Sequence, residues 1–161
     1  MKCKPVSPRI SVADTQPARD ALSTLAQEGY AAVVNLREAG EADERMPPAE
    51  EGKAVRACGM TYLHVPFSLR HPARATAAVD EFRRQMSAPP GRTLVHCDSG
   101  RRAAALSAIH LGLREGMRSE DVLAMARNWG LPIEPPELAD FVAGYVARND
   151  VLYDELEREI W

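Results

Sequence analysis

The chain has 161 residues, 45% of them hydrophobic and 27% charged, with a formal net charge of −3. That length suits one domain with a sizeable core, and the slight acidic balance argues against a general nucleic-acid or membrane-surface binder while leaving room for a local basic pocket. No run has signal-peptide or transmembrane character, and Cys3, Cys58 and Cys97 show neither disulfide-framework nor metal-ligand spacing, so a reducing cytoplasm is the expected setting and no metal or cofactor is expected.

A first short strand is expected within residues 5–14, around Arg9-Ile10-Ser11-Val12, with Cys3 in a tail before it. Gln16-Pro17 leads into a helix, Pro17 suiting its first turn. Leu22, Leu25 and Ala26 form that helix's apolar stripe, and Gly29 ends it. Ala31-Ala32-Val33-Val34-Asn35-Leu36 is a compact apolar run of buried-strand length. The acidic segment from Glu38 to Glu51 reads as a surface loop before a short helix, whose apolar side is Ala54, Val55 and Cys58. Met60 to Phe67 is the third strand, ended by Pro66, with His64 a satisfied core histidine. After the Arg70-His71-Pro72 turn, Ala75, Val79, Phe82 and Met86 define a helix that Pro89-Pro90-Gly91 closes.

Thr93-Leu94-Val95-His96-Cys97-Asp98-Ser99-Gly100-Arg101-Arg102 is the stretch with chemistry in it. A short β run ends in His-Cys, a tight loop follows, and Ala103-Ala104-Ala105-Leu106 continues into a helix. Strand, loop and helix N-terminus make an anion site, because backbone N–H groups and the helix dipole converge there. A cysteine at its mouth should ionise readily, since those donors and Arg102 stabilise thiolate. Cys97 is therefore expected to be a nucleophile, where a free cysteine is otherwise a small buried hydrophobe. The end of the Asn35-Leu36-Arg37 run should lie on the same sheet edge, where open α/β sheets bind ligands.

Beyond that helix, Gly116 breaks the pattern and Ser119 is expected to cap a helix carrying Val122, Leu123, Ala126 and Trp129. From Glu137 onward Leu138, Phe141, Val142, Tyr145, Leu152, Leu156 and Ile160 keep helical spacing, with an interruption near Asn149-Asp150. The alternation implies a three-layer α/β/α domain with a central, mainly parallel sheet of four to five strands. It would span 1–161, with 132–161 a C-terminal helical extension that packs on the sheet or serves a partner chain in an oligomer.

The Cys-x4-Arg spacing of Cys97 and Arg102 is shorter than the Cys-x5-Arg usual in tyrosine and dual-specificity phosphatases, and it also occurs in rhodanese-type sulfurtransferases. The His-Cys-x-Ser-Gly-x-Arg loop, the Gly29-Tyr30 to Asn35-Leu36-Arg37 segment, the Gly59 to Pro66 segment, Val6-Ser7-Pro8 and Gln16-Pro17 together resemble the phosphatase-like domain of the beta-lactamase-hydrolase-like proteins. The resemblance covers roughly residues 5–130. It implies a tyrosine-phosphatase-like fold and hydrolysis of phosphate monoesters, on phosphorylated proteins or small molecules, through a phosphocysteine on Cys97.

In that reading Arg102 clamps the phosphate, its planar guanidinium matching two oxygens, and Arg101 is the rival, otherwise pointing outward. Asp98, Ser99, Gly100, Arg101 and Ala103 make up the phosphate-binding loop, with Gly100 free to take a φ other residues resist. His96 fixes the loop by hydrogen bonding; Asn35 and Arg37 brace or line the pocket, Arg37 being otherwise an ordinary surface arginine. Ala103 stands where phosphatases usually carry Ser or Thr, and no carboxylate occupies Ser68-Leu69-Arg70-His71, where a general acid is expected. His71, Glu41, Asp43 and Glu44 are the substitutes on offer. Two other readings fit: sulfur transfer through a Cys97 persulfide, and a non-catalytic module that binds phosphate.

Overall fold

The apolar run around Val33 and Val34 lies in the interior of a five-stranded sheet. The computed structural model describes the backbone of residues 1–160 and the side-chain surroundings of residues 1–150. Its strands are β1 (Cys3–Pro5), β2 (Ile10–Ala13), β3 (Ala32–Asn35), β4 (Thr61–His64) and β5 (Thr93–His96). They lie in the order β1-β2-β5-β3-β4. β1 runs antiparallel to β2, and every other pairing is parallel. The helices are α1 (Ala21–Gln27), α2 (Pro48–Ala57), α3 (Pro72–Ser87), α4 (Arg101–Arg114), α5 (Ser119–Asn128) and α6 (Pro136–Ile160).

β2, β3 and β5 are buried along their whole length, as continuous apolar runs in a parallel sheet require. Their register decides where the chemistry can be. Asn35 pairs with His96 on one side and His64 on the other, so β3, β4 and β5 end level. The segments that leave those ends, beginning at Leu36, Val65 and Cys97, therefore emerge on one edge of the sheet, as expected for the Asn35 and Cys97 stretches.

Contacts divide the chain into Met1–Ala103 and Ala104–Trp161. In the first unit Leu22, Leu25, Tyr30, Val33, Val55, Met60 and Leu94 share one core cluster. α3 buries Ala75, Val79, Phe82 and Met86, the residues its spacing marks. In the second, α5 opens with Glu120 and Asp121 in its first turn, where the helix dipole favours them, and buries Val122 and Ala126. Gly112 lets α4 approach α5, since a Cβ there would fall 2.5 Å from Val122 Cγ2.

Several expectations need correcting. Cys3 is not in a tail: it is exposed on the edge strand β1, which the sequence hides because Cys-Lys-Pro has no apolar alternation. Pro17 is buried ahead of α1 and outside its first turn, because the helix waits until Ala21. His64 is exposed on the edge strand β4 rather than in the core. The acidic segment is not all surface loop: α2 starts at Pro48 and Glu51 is fully buried within it. Ser119 is the first residue of α5, and its hydroxyl donates to Ala143 O at 2.8 Å instead of capping. α6 runs through Asn149-Asp150 without a break. Leu152, Leu156 and Ile160 lie outside the residues whose side chains are described.

Because Phe82 is fully buried, Phe82→Ala should cost about 3–5 kcal/mol. Arg74→Ala, on the exposed side of the same helix, should stay within about 0.5 kcal/mol. Urea denaturation of both variants checks this.

Candidate active site

Cys97 follows directly on β5 and is fully buried. Its Sγ accepts a hydrogen bond from the Gly100 backbone N–H at 3.2 Å. Gly100 has φ +85°, and a Cβ there would fall 3.1 Å from the backbone oxygen of Ala13. Both the left-handed backbone and the close approach of β2 call for glycine. α4 opens at the next residue, Arg101, so the free N–H groups of its first turn and the positive end of its dipole lie beside the loop.

The two loop arginines separate as expected. Arg101 is exposed, whereas the Arg102 side chain is 16% exposed and fully engaged. Its Nη1 and Nη2 donate to the two oxygens of Glu41 at 2.8 and 2.7 Å, Nη1 also donates to Phe67 O at 3.0 Å, and Asp98 Oδ1 lies 3.3 Å from Nη2. Burial works against the Arg102 charge, but hydrogen bonding to Glu41 and the neighbouring Cys97, Glu41 and Asp98 outweigh it, raising its pKa above the ordinary arginine value. The fork–fork geometry is the one a phosphate would use.

Glu41 is thus the acidic-loop residue that reaches the site. Burial alone would raise its pKa; hydrogen bonds from Arg102 and the Glu38 backbone, with the charges of Arg102 and Arg37, hold it below the usual carboxylate range. A carboxyl so held is a poor proton donor, so in this arrangement Glu41 is not the missing general acid. Asp43 is exposed with φ 60°. His71 is exposed at the N-cap position of α3, with no side-chain capping bond. Asp98 is half exposed; burial would raise its pKa, but Arg102 and Ser99 together lower it. It both faces solvent and reaches Arg102, so neither a purely inward nor a purely outward placement describes it. Ser99 is exposed and donates from its hydroxyl to Asp98 Oδ1 at 3.2 Å; Ala103 is fully buried.

Arg37 is no ordinary surface arginine: it is 2% exposed. Its Nη2 donates to Ala42 O at 2.6 Å, and its Nε lies 3.6 Å from Glu41 Oε1. It holds the loop that presents Glu41. Asn35 is a brace rather than a pocket wall. Its Oδ1 accepts the Arg37 N–H at 2.8 Å, and its Nδ2 donates to Glu51 Oε2 at 3.0 Å and Tyr62 OH at 3.1 Å. His96 is fully buried, with Nε2 2.6 Å from Glu51 Oε1 and Nδ1 3.4 Å from the Cys97 carbonyl.

Glu51, Gln16 and Tyr62 are the participants that sequence reasoning passed over. Gln16 is fully buried and donates to Glu51 Oε2 at 3.2 Å, and the Tyr62 hydroxyl donates to the same oxygen at 3.1 Å. Gly52, next to Glu51, makes room for the Tyr62 ring, which would meet a Cβ at 2.8 Å. The one signal available was Glu51 standing three positions after Pro48, on the inner face of a helix that begins there. Among the described residues no cluster of His, Cys, Asp and Glu could hold a metal ion, and no helix is long and apolar enough to cross a membrane.

Residues 3–113 match the family described as beta-lactamase hydrolase-like protein, phosphatase-like domain. The beta-lactamase hydrolase-like protein of Xylella fastidiosa (strain Temecula1 / ATCC 700964) is 29% identical over 133 residues, which are 83% of this chain and 30% of that protein. The one from Agrobacterium fabrum (strain C58 / ATCC 33970) is 26% identical over a stretch of the same length, again 30% of its own. The match thus covers less than a third of these curated relatives. Among solved structures, a DUF442 protein of Shewanella putrefaciens CN-32 superposes with TM-score 0.73 at 22% identity, over 91% of this chain and 92% of that one. PTPMT1 gives TM-score 0.73 at 15% identity, over 96% and 99%. The core catalytic domain of the PP-IP phosphatase SIW14 from S. cerevisiae gives 0.67 at 16%, over 89% and 84%. At such identities the likeness is one of fold, and the fold is tyrosine-phosphatase-like. With the match running from β1 into the last turn of α4 and enclosing the whole Cys97 loop, the chain belongs to the phosphatase-like domain family of the beta-lactamase hydrolase-like proteins.

Proposed function

We propose that this domain is a cysteine-dependent phosphatase that hydrolyses phosphate monoesters. The observation that carries the reading is Cys97 Sγ held by the Gly100 N–H at the mouth of α4, in the same loop as the inward-turned Arg102 guanidinium. Cys97 thiolate attacks phosphorus, forming the S–P bond as the bond to the leaving oxygen breaks. Loop N–H groups and Arg102 take up the charge on the non-bridging oxygens. Water then cleaves the phosphocysteine, releasing inorganic phosphate and restoring Cys97. Phosphate entry requires Glu41 to give up at least part of its hold on Arg102. With Glu41 kept deprotonated and no acid on the loop after β4, aryl phosphates are the favoured substrates, because their leaving groups need little protonation.

One observation favours a second reading. The Glu41 carboxylate already occupies both arms of Arg102, as it would in a module that holds an anion without turning it over. The deciding experiment pairs wild type with Cys97→Ser on an activated aryl phosphate across pH 5–8, beside thiosulfate with cyanide as acceptor. Cys97-dependent phosphate release supports the phosphatase. Thiocyanate alone would transfer the domain to sulfur chemistry. Silence in both, with sulfate binding seen by calorimetry, would favour the module.

In the phosphatase case Cys97→Ser should fall to background hydrolysis yet still bind sulfate. Arg102→Ala should lose about 10²–10³-fold in kcat and bind sulfate more weakly, while Arg101→Ala loses far less. If Arg101→Ala proved the more damaging, the two arginines would have exchanged roles. Glu41 supplies a pH signature. Since its folded-state pKa is lowered, its contribution to stability is fully present above the ordinary carboxylate range and disappears as pH falls through the folded value. Glu41→Gln should therefore melt below wild type at pH 7, with the gap closing in acid; thermal melts at pH 7 and pH 3 read it.

A further inference from the structure

We infer that Glu51 is a positioning residue for the nucleophile, acting on the Cys97 loop through His96. The inference rests on Cys97 being the reactive group of this domain. Glu51 is wholly buried, and each of its oxygens is used: Oε1 faces His96 Nε2 at 2.6 Å, and Oε2 accepts from Asn35 at 3.0 Å, Tyr62 at 3.1 Å and Gln16 at 3.2 Å. A group that accepts from all these donors is a carboxylate with no proton of its own to give. Burial, and then the neighbouring Glu51, push the Tyr62 phenol well above its ordinary pKa, so its hydroxyl stays a donor.

A buried carboxylate is a poor way to fill space, since apolar packing at the same place is often as stable or more so. What this one does is direct a ring. With Oε1 accepting on one side and the Cys97 carbonyl, which can only accept, 3.4 Å from Nδ1 on the other, His96 joins the two by donating from both ring nitrogens. That carbonyl belongs to the residue whose Sγ accepts the Gly100 N–H. Anchoring the carbonyl therefore sets the direction of Sγ and keeps the donor that stabilises thiolate in line. The other titratable or charged groups around this line are Tyr62 from β4, Arg56 from α2 itself and, on the Cys97 side, Arg102.

The test reads Cys97 without substrate. Iodoacetamide alkylation of the full chain is followed by mass spectrometry of the Cys97 peptide from pH 6 to pH 10, in wild type, Glu51→Gln, His96→Asn and the double variant. The thiolate is the reacting form, so loss of its aligned donor should slow Glu51→Gln by about tenfold at pH 6 and leave pH 10 unchanged. His96→Asn should match it, and the double variant should be no slower than either single one. Two results would overturn the inference. Faster alkylation at every pH in Glu51→Gln would mean that the carboxylate only props the loop shut or acts as a nearby negative charge. An unchanged rate in either single variant would mean that no influence passes from Glu51 through His96. Should Glu51→Gln fail to fold, His96→Asn alone decides, because it cuts the same route while leaving Glu51 its other donors. Aryl phosphate turnover by wild type is scored separately, so an inactive domain with the predicted alkylation pattern would sink the phosphatase and spare the inference.

Discussion

A carboxylate taken entirely out of water is tolerable only if its lone pairs are met, and Glu51 meets that condition with donors from separate parts of the chain. Gln16 comes from the connection between β2 and α1, Asn35 from the end of β3, Tyr62 from β4 and His96 from the end of β5. None of these can move far without stranding a charge, and breaking a buried pair by removing one member typically costs about 3–5 kcal/mol. The parallel register brings Asn35, His64 and His96 level; the Glu51 network then ties the ends of those strands together just beneath the Cys97 loop. The edge from which the Cys97 loop leaves is thus tied down from several parts of the chain.

Above that layer lies one that runs from buried Arg37 out to half-exposed Asp98, with a different logic. Arg37, Glu41, Arg102 and Asp98 form a chain of alternating charge in which each carboxylate has a guanidinium within reach. Arg37 is locked by the Ala42 carbonyl and by Asn35, so the Glu41 loop is tethered to the brace below. The pairing keeps a buried guanidinium charged and correctly oriented in the absence of substrate. It also means that, in the proposed function, an entering phosphate would exchange one anion for another at Arg102, so affinity would reflect the difference between two fork–fork contacts rather than the strength of one. A phosphate dianion there would have the advantage of charge and of the α4 N-terminus; Glu41 has the advantage of being already in place.

The departures at Asp98, Ala103 and the loop after β4 look alike in the sequence, yet they differ in kind. Asp98 is partly neutralised by Arg102 and Ser99, so its cost to anion binding is moderated. Ala103 is fully buried with no hydroxyl to offer. The absent acid is a chemical gap that a low-pKa Glu41 does not fill. In the proposed phosphatase these differences would bear on which step is slow, more than on whether Cys97 can attack.

Much of the fold and half of the site were legible in the residues because they depend on local rules. A continuous apolar run makes a buried parallel strand, a strand-loop-helix with glycine at a left-handed position makes an anion cradle, and a guanidinium that is the last charged residue before an apolar helix turns inward while its neighbour turns out. Cys97, Gly100, Arg102, the shared edge with Asn35 and the apolar face of α3 follow from such rules. Glu51, Tyr62, Gln16 and Glu41 do not. Glu51 and Glu41 sit in a segment whose composition reads as solvated surface, Tyr62 in a strand and Gln16 in a connection, and the partners that matter for the two carboxylates are far away in sequence: His96 is 45 residues from Glu51, and Arg102 is 61 from Glu41. Whether such a carboxylate faces water or a buried donor is decided when strands from distant parts of the chain come level. A pattern of local hydrophobicity holds no information about that meeting. The sequence by itself determined a cysteine in a strand-loop-helix turn; only the tertiary structure decided what stands behind that cysteine and what stands in front of its arginine.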